Sequence, residues 1–106
     1  MENKSIYYLM EVQNQSEVER VDFDGNNEAF VPECTLQLKA HGRFEYETIV
    51  ATLPGQAALH KFRKGELVAV RLHFYTQKKN GKYVNNIHID DIKLVTELKT
   101  VPLSLW

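Results

Sequence analysis

The feature that most constrains this chain is an Asn-Gly pair, residues 80–81, set between two runs that favour β-strands. Asparagine and glycine tolerate the positive φ angles of a two-residue hairpin turn, so the pair predicts two antiparallel strands joined directly. Before it, residues 68–75 alternate apolar and polar side chains, which predicts a half-buried strand. After it, residues 83–95 are predicted to form the returning strand, with a bulge near Asp90 and Asp91, where the apolar positions change parity.

Three further strands are predicted upstream. One contains Cys34, Leu36 and Leu38 in strict alternation with polar residues, and the other two are rich in β-branched and aromatic residues. The third strand allows two interpretations. If Ile49 and the residues of its parity point into the core, Phe44 and Tyr46 are exposed, but a bulge that inverts the alternation would place Tyr46 inside. The upstream strands are residues 6–12, 34–40 and 44–53.

The connections complete the prediction of fold class. Residues 41–43 predict a tight hairpin, residues 22–33 a polar loop, and residues 56–62 a short helix. A helix between the third and fourth of five strands is the signature of the OB-fold, an all-β Greek-key barrel. The predicted domain covers residues 1–96, and residues 97–106 form a C-terminal tail that folds back on the barrel or packs against another subunit.

Charge is distributed unevenly along a chain whose formal charge is only −1. Residues 1–33 have a net charge of −6, and residues 61–82 have a net charge of +6. Such asymmetry allows one cationic surface on a nearly neutral protein. No run approaches the roughly 18 apolar residues of a membrane span, and the single cysteine, Cys34, cannot form an internal disulfide, so the expected location is the cytoplasm. Cys34 lies in an alternating apolar run and is predicted to be a small buried apolar residue.

The polar parity of the fourth strand carries side chains suited to single-stranded nucleic acid. Cations attract phosphates, and aromatic rings stack on bases of any sequence. Arg71, His73, Tyr75 and Gln77 share this parity, opposite Val68, Val70, Leu72 and Phe74. The strip is extended along the hairpin, and an exposed third strand adds two rings. The predicted nucleic-acid-binding residues are Arg71, His73, Tyr75, Lys78, Lys79, Lys82, Tyr83, Phe44 and Tyr46.

Residues 64–70 and 81–87 also resemble a known family. A Lys-Gly turn opens the fourth strand, a basic hairpin follows, and a Gly-Lys-Tyr entry leads into the fifth strand. This arrangement is similar to the second half of bacterial single-stranded-DNA-binding proteins and of the related primosomal replication protein N. The resemblance implies an OB barrel, a dimer or tetramer, and single-stranded DNA as partner, with RNA left open.

Other functions are weighed against this one. The four histidines have no metal-ligand spacing, and His88 with Asp90 and Asp91 lacks a nucleophile or phosphate loop, so no cofactor, metal or catalysis is expected. The main alternative is a protein-interaction or assembly module that uses the barrel edge and the apolar tail from Leu103 to Trp106. An oligosaccharide-binding OB-fold is a third hypothesis.

Overall fold

The computed structural model describes residues 6–23, 26–42, 47–96 and 100–105, and for 21–23 and 26–30 it describes the backbone alone. These residues are mostly β-structure, with one four-residue 3-10 segment, η1. The elements, in chain order, are β1 (Tyr8–Gln15), β2 (Glu19–Phe23), β3 (Asn26–Ala40), β4 (Thr48–Pro54), η1 (Gln56–Leu59), β5 (Leu67–Lys79), β6 (Lys82–Val95) and β7 (Thr100–Leu103).

The strands form one mixed sheet of seven strands in the order β1-β5-β6-β4-β3-β2, with β7 paired to β6. β1 also pairs with β3, so the pairings β1–β3–β4–β6–β5 return to β1 and close a ring. The β4–β6 pair is parallel, at Thr52 and His88, and the other pairs in the ring are antiparallel. The five predicted strands are the members of this ring, and β2 and β7 were not predicted.

The predicted polar loop over residues 22–33 is wrong, because β2 and the first part of β3 form an antiparallel hairpin there. Val21 stands opposite Val31, and Asp22 stands opposite Phe30. The β-branched and aromatic residues of the two strands outweigh the aspartates, asparagines and proline that suggested a loop. Pro32 also lies within the strand, opposite Arg20.

The C-terminal segment folds back on the sheet, which is one of the two arrangements left open by the sequence. β7 pairs antiparallel with residues 92–95 of β6, and Leu103 and Leu105 pack against the core. The segment passes very close to Gly55, where an added Cβ would overlap the Leu105 carbonyl oxygen. Gly55 also has a φ of 78°, so both the close approach and the backbone conformation require glycine.

The core lies inside the ring and follows the alternation of the sequence. Cys34, Leu36 and Leu38 of β3 are buried, and so are Val68 and Val70 of β5. Burial raises the pKa of the Cys34 thiol, which therefore stays protonated at neutral pH. The other buried side chains are Met10, Val12, Ala51, Leu53, Ala57, Ala58, Ile89 and Ile92.

The predicted helix is shorter than expected, because η1 ends at Leu59 rather than at residue 62. Hydrogen bonds from Gln15 of β1 fix the chain after it. The Gln15 amide donates to the carbonyl oxygens of Ala58 (3.3 Å) and His60 (2.8 Å), and its own oxygen accepts from the Phe62 N–H at 3.0 Å. Within the described ranges, no helix is long and apolar enough to cross a membrane.

The hairpin of β5 and β6 confirms the Asn-Gly prediction. Asn80 and Gly81 have φ angles of 50° and 79°, as a two-residue turn with two positive φ angles requires. The predicted bulge is also present, because Arg71 pairs with Asp91 while Leu72 pairs with Ile89. Asp90 is therefore the extra residue, and it lets Ile89 and Ile92 both face the core.

Candidate nucleic-acid interface

The part of the hairpin beyond the core, residues 73–88, is here called the arm. Its sequence contains three lysines and no aspartate or glutamate. β1 flanks β5 only along Leu67–Val70, and β4 meets β6 only at His88, so no described strand flanks the rest of the arm. Residues 73–85 are all exposed, and they lie on both faces of this two-stranded ribbon, so both faces are accessible there.

The pairings divide the arm into two faces, because side chains of paired residues lie on the same side of the sheet. The outer face continues from Arg71, and the inner face continues from the core pair Leu72 and Ile89. The outer face contains His73, Tyr75, Gln77 and Lys79 with their partners His88, Asn86, Val84 and Lys82. The inner face contains Phe74, Thr76 and Lys78 with their partners Ile87, Asn85 and Tyr83.

The predicted site residues are therefore split between the two faces. Arg71, His73, Tyr75, Lys79 and Lys82 share the outer face, as one strip requires. Lys78 and Tyr83 lie on the inner face, so the expectation that they extend the same strip is wrong. The reason is the period of two, since Lys78 has the opposite parity from Tyr75 and Lys79.

Phe74 is a second correction, because it shares the parity of Val68 and Val70 but is 61% exposed. Val68 and Val70 lie where β1 flanks β5, whereas Phe74 lies beyond the last paired residue of β1. Without a neighbouring strand, the inward direction leads to solvent instead of to the core. Phe44 and Tyr46, the two rings predicted on the third strand, lie outside the described residues.

Three rings gather at the base of the outer face. The His73 ring lies 5.4 Å from the Tyr75 ring and 6.3 Å from the His88 ring, centroid to centroid. Tyr75 is 37% exposed, so one side of this group is open to a ligand. The Asn86 amide donates to the Gln77 side-chain oxygen at 3.1 Å. This hydrogen bond joins the pair Tyr75 and Asn86 to the next pair along the face, Gln77 and Val84.

Two carboxylates border the base of the outer face. Asp90 lies 3.3 Å from the His88 Nδ1 and 3.8 Å from the His73 Nδ1. Asp91 stands opposite Arg71 in register, and its carboxylate accepts a hydrogen bond from the Tyr7 hydroxyl. The base of the strip is therefore of mixed charge, and its cationic end is the tip, at Lys79 and Lys82.

The lysines at the tip form a directly opposed pair, Lys79 and Lys82. Like charges directly opposite one another in a sheet are destabilising, and no acidic residue within residues 73–88 can offset them. A bound anion would relieve this repulsion. Arg71 and Lys79 are eight positions apart along β5, which corresponds to about 26 Å at about 3.3 Å per residue.

His88 and Asn86 were missed as outer-face residues, although the sequence contained the signal for them. A two-residue turn at Asn80 and Gly81 fixes the register, so that counting outward from the turn pairs His73 with His88 and Tyr75 with Asn86. The same count places Lys78 opposite Tyr83.

Comparisons with protein-family models, with characterised proteins and with solved structures give no match to this chain. The geometry of the described residues therefore carries the functional argument. In that part of the chain, no three histidine, cysteine, aspartate or glutamate side chains form a group that could hold a metal ion.

Proposed function

We propose that this protein is an OB-fold module that binds single-stranded nucleic acid, with single-stranded DNA as the first candidate, through the outer face of the arm. The fold part of the proposal is supported by the ring of pairings β1–β3–β4–β6–β5 and by the position of η1 between β4 and β5. Five strands in this order, with a short helical segment between the third and the fourth, correspond to the OB arrangement.

One observation carries the binding part of the proposal: the outer face lines up exposed rings and cations on a ribbon that has no acidic residue. Single-strand binding combines base stacking on flat side chains with cations that follow the backbone. Tyr75 and His73 supply the flat side chains, and the opposed Lys79 and Lys82 supply charge. Binding of this kind needs no catalytic group, so we propose a binding protein and not an enzyme.

The test measures the affinity of a labelled thymidine oligonucleotide by fluorescence anisotropy over a series of salt concentrations. The slope of log K against log salt is negative, and for single strands each phosphate contact that is lost makes it shallower by about 0.7. We therefore expect the double variant Lys79→Ala/Lys82→Ala to decrease the magnitude of the slope by about 1.4. The charge-matched control Lys61→Ala/Lys64→Ala changes two exposed lysines outside the arm and should leave the slope unchanged.

Tyr75→Ala tests the stacking part of the same proposal. Stacking on an aromatic ring contributes about 1–3 kcal/mol per base, so affinity should fall by about fivefold to a hundredfold with little change in the salt slope. Absence of binding by the folded wild-type protein at low salt would refute the proposal. Equal losses in the arm variants and in the lysine control would show that the binding is not localised to the arm.

A protein-interaction module is the second candidate, and one surface favours it. A depression of about 420 Å³ beside η1 is lined by Val18, Arg20, Pro32 and Leu59. Val18 and Leu59 are both exposed there. The described part of the tail gives less support, because Leu103 and Leu105 are packed against the protein's own core. Leu59→Lys would abolish partner binding at this surface and leave oligonucleotide affinity unchanged.

A further inference from the structure

The inner face of the arm repeats the combination of ring and cation on the side that the proposed function does not use. Tyr83 is 75% exposed, and the Lys78 ammonium nitrogen lies 5.8 Å from the centroid of its ring. Phe74, at the base of the same face, is 61% exposed. Phe74 and Lys78 are four residues apart, so the two rings are separated by about 13 Å along the arm.

Burial in the core does not account for these two rings. An exposed aromatic side chain gains little from burial, and apart from β5 and β6 themselves no described strand pairs with the arm where Phe74 and Tyr83 lie. Thr76 and its partner Asn85, which are polar and joined by a 3.4 Å hydrogen bond, lie between the two rings. The inner face is therefore a polar ribbon with two separate flat side chains, which differs from a continuous apolar patch.

We propose that the inner face is a second site for the same single strand, so that a longer strand contacts both faces of the arm. This inference rests on the proposed function of the outer face. The charge of the arm selects the occupant, because Lys78 on the inner face and the pair Lys79 and Lys82 on the outer face, without an acidic residue in the arm, favour a polyanion that contacts both faces. Spaced rings separated by polar side chains suit bases that stack one at a time.

The arm presents no barrier between the two faces. Its tip is the glycine turn, and among the described residues, apart from Gly81 and its two chain neighbours, no heavy atom lies within 4 Å of the position that a Cβ of Gly81 would occupy. Neighbouring strands are about 4.8 Å apart, so the two-stranded ribbon is narrow enough for a flexible strand to pass around it. A depression of about 320 Å³ near the base draws its lining from both faces: Phe74, Tyr75, Thr76, Asn85, Asn86 and Ile87.

The experiment compares a short thymidine oligonucleotide of about 6 nucleotides with a long one of about 20 nucleotides. A single OB-fold covers at most about 16 nucleotides, so only the long oligonucleotide exceeds that limit. The inner-face variant is Phe74→Ala/Tyr83→Ala, and the outer-face variant is Tyr75→Ala. Val50→Ala is the control for removal of an exposed apolar side chain, because Val50 of β4 is 61% exposed and lies outside the arm. Thermal unfolding monitored by circular dichroism checks that each variant is folded.

We expect the inner-face variant to bind the short oligonucleotide within about twofold of wild type and to lose about fivefold or more in affinity for the long one. Tyr75→Ala should weaken the binding of both oligonucleotides. The variant Phe74→Tyr/Tyr83→Phe retains both rings and should restore the affinity for the long strand.

Each other outcome has a distinct meaning. Wild-type affinity of the inner-face variant for the long oligonucleotide would overturn this inference and leave the proposed function intact. Equal losses for the short and the long oligonucleotide would also overturn it, because the two faces would then form one site. Absence of binding by the wild-type protein would refute the proposed function itself.

Discussion

The two halves of the β5–β6 hairpin have the same alternation of side chains and opposite environments. In the half farther from the Asn80-Gly81 turn, Val68 and Val70 are flanked by β1 and are fully buried. In the arm, Phe74 continues the same parity and is 61% exposed. The difference teaches that alternation sets the direction of a side chain, whereas the length of the neighbouring strand decides whether that direction leads to a core. The first half stabilises the fold, and the second half is available for a ligand.

The strongest way to test this contrast is to truncate a core residue of the hairpin. Ile89 is fully buried against the core next to the bulge. Ile89→Ala leaves a cavity and should lower the free energy of unfolding by about 2–5 kcal/mol. Urea unfolding measures the change. A loss below about 1 kcal/mol would mean that the hairpin is loosely packed even in its first half.

The next largest effect is expected at Gln15, which joins β1 to the chain after η1. Its side chain makes hydrogen bonds to the backbone of Ala58, His60 and Phe62. Gln15→Ala leaves part-buried backbone groups without these partners and should cost about 1–3 kcal/mol in urea unfolding. The exposed Gln56→Ala is the matched control. A similar small loss in both variants would show that the end of the ring opposite the arm does not depend on this contact.

In the arm, by contrast, removal of a larger apolar side chain should have little effect on stability. Phe74→Ala should change the free energy of unfolding by about 0.5 kcal/mol or less, because the ring is mostly in solvent. The measurement is the same urea titration as for Ile89→Ala. A cost comparable to that of Ile89→Ala would contradict the division of the hairpin into a core half and an accessible half.

The smallest effect is expected for a surface contact of β1, one of the strands that form the closed ring. It tests whether the contribution of a residue to stability depends on its burial or only on its place in one of these strands. Glu11 accepts a hydrogen bond from the Gly42 N–H (3.3 Å) and lies 3.1 Å from the His41 Nδ1. The backbone hydrogen bond of Gly42, followed by the contacts with His41 and Lys39, lowers the pKa of Glu11 below its ordinary value of 4.5.

Because the folded-state pKa is depressed, the contribution of Glu11 to stability is complete above its ordinary pKa and is lost as the pH falls through the folded-state pKa. Thermal unfolding from pH 6 down to about pH 3 should therefore show a slightly smaller acid loss for Glu11→Gln than for wild type. Glu17→Gln serves as the matched control. An unchanged pH profile in Glu11→Gln would mean that this exposed contact contributes nothing to stability.

Much of the ring could be predicted from the sequence because its signals are local. The Asn-Gly turn, the parity change near Asp90 and the alternation around Leu36 each depend on neighbours in the chain, and each appears in the structure as predicted. β2 pairs with nearby residues of β3 and was missed because its aspartates, asparagines and proline suggested a loop, whereas β7 was missed because its pairing depends on a partner farther away in the chain. Val101 pairs with Leu94, and nothing near Val101 in the sequence indicates that pairing.

The candidate site could be predicted only in part, for the same reason. Parity correctly grouped His73 with Tyr75, but how far β1 runs beside β5 is a tertiary property that decides the exposure of Phe74. Lys78 and Tyr83 were added to the strip by proximity in sequence, although the register places them on the inner face. A count of cross-strand partners from the turn would have avoided this error.

The hydrogen-bonded ladder of the hairpin has a mechanical consequence. It runs from the pair Val68 and Leu94 to the pair Lys79 and Lys82, and its register shifts once, at Asp90. The arm therefore has no hinge at its base, because rotating it relative to the other strands would break backbone hydrogen bonds between β5 and β6. If the arm binds a single strand as we propose, the strand and not the arm must bend, and single-stranded nucleic acid is flexible enough to do so. A DNA duplex has a persistence length of about 150 base pairs, so it is too stiff to wrap around a ribbon as narrow as the arm.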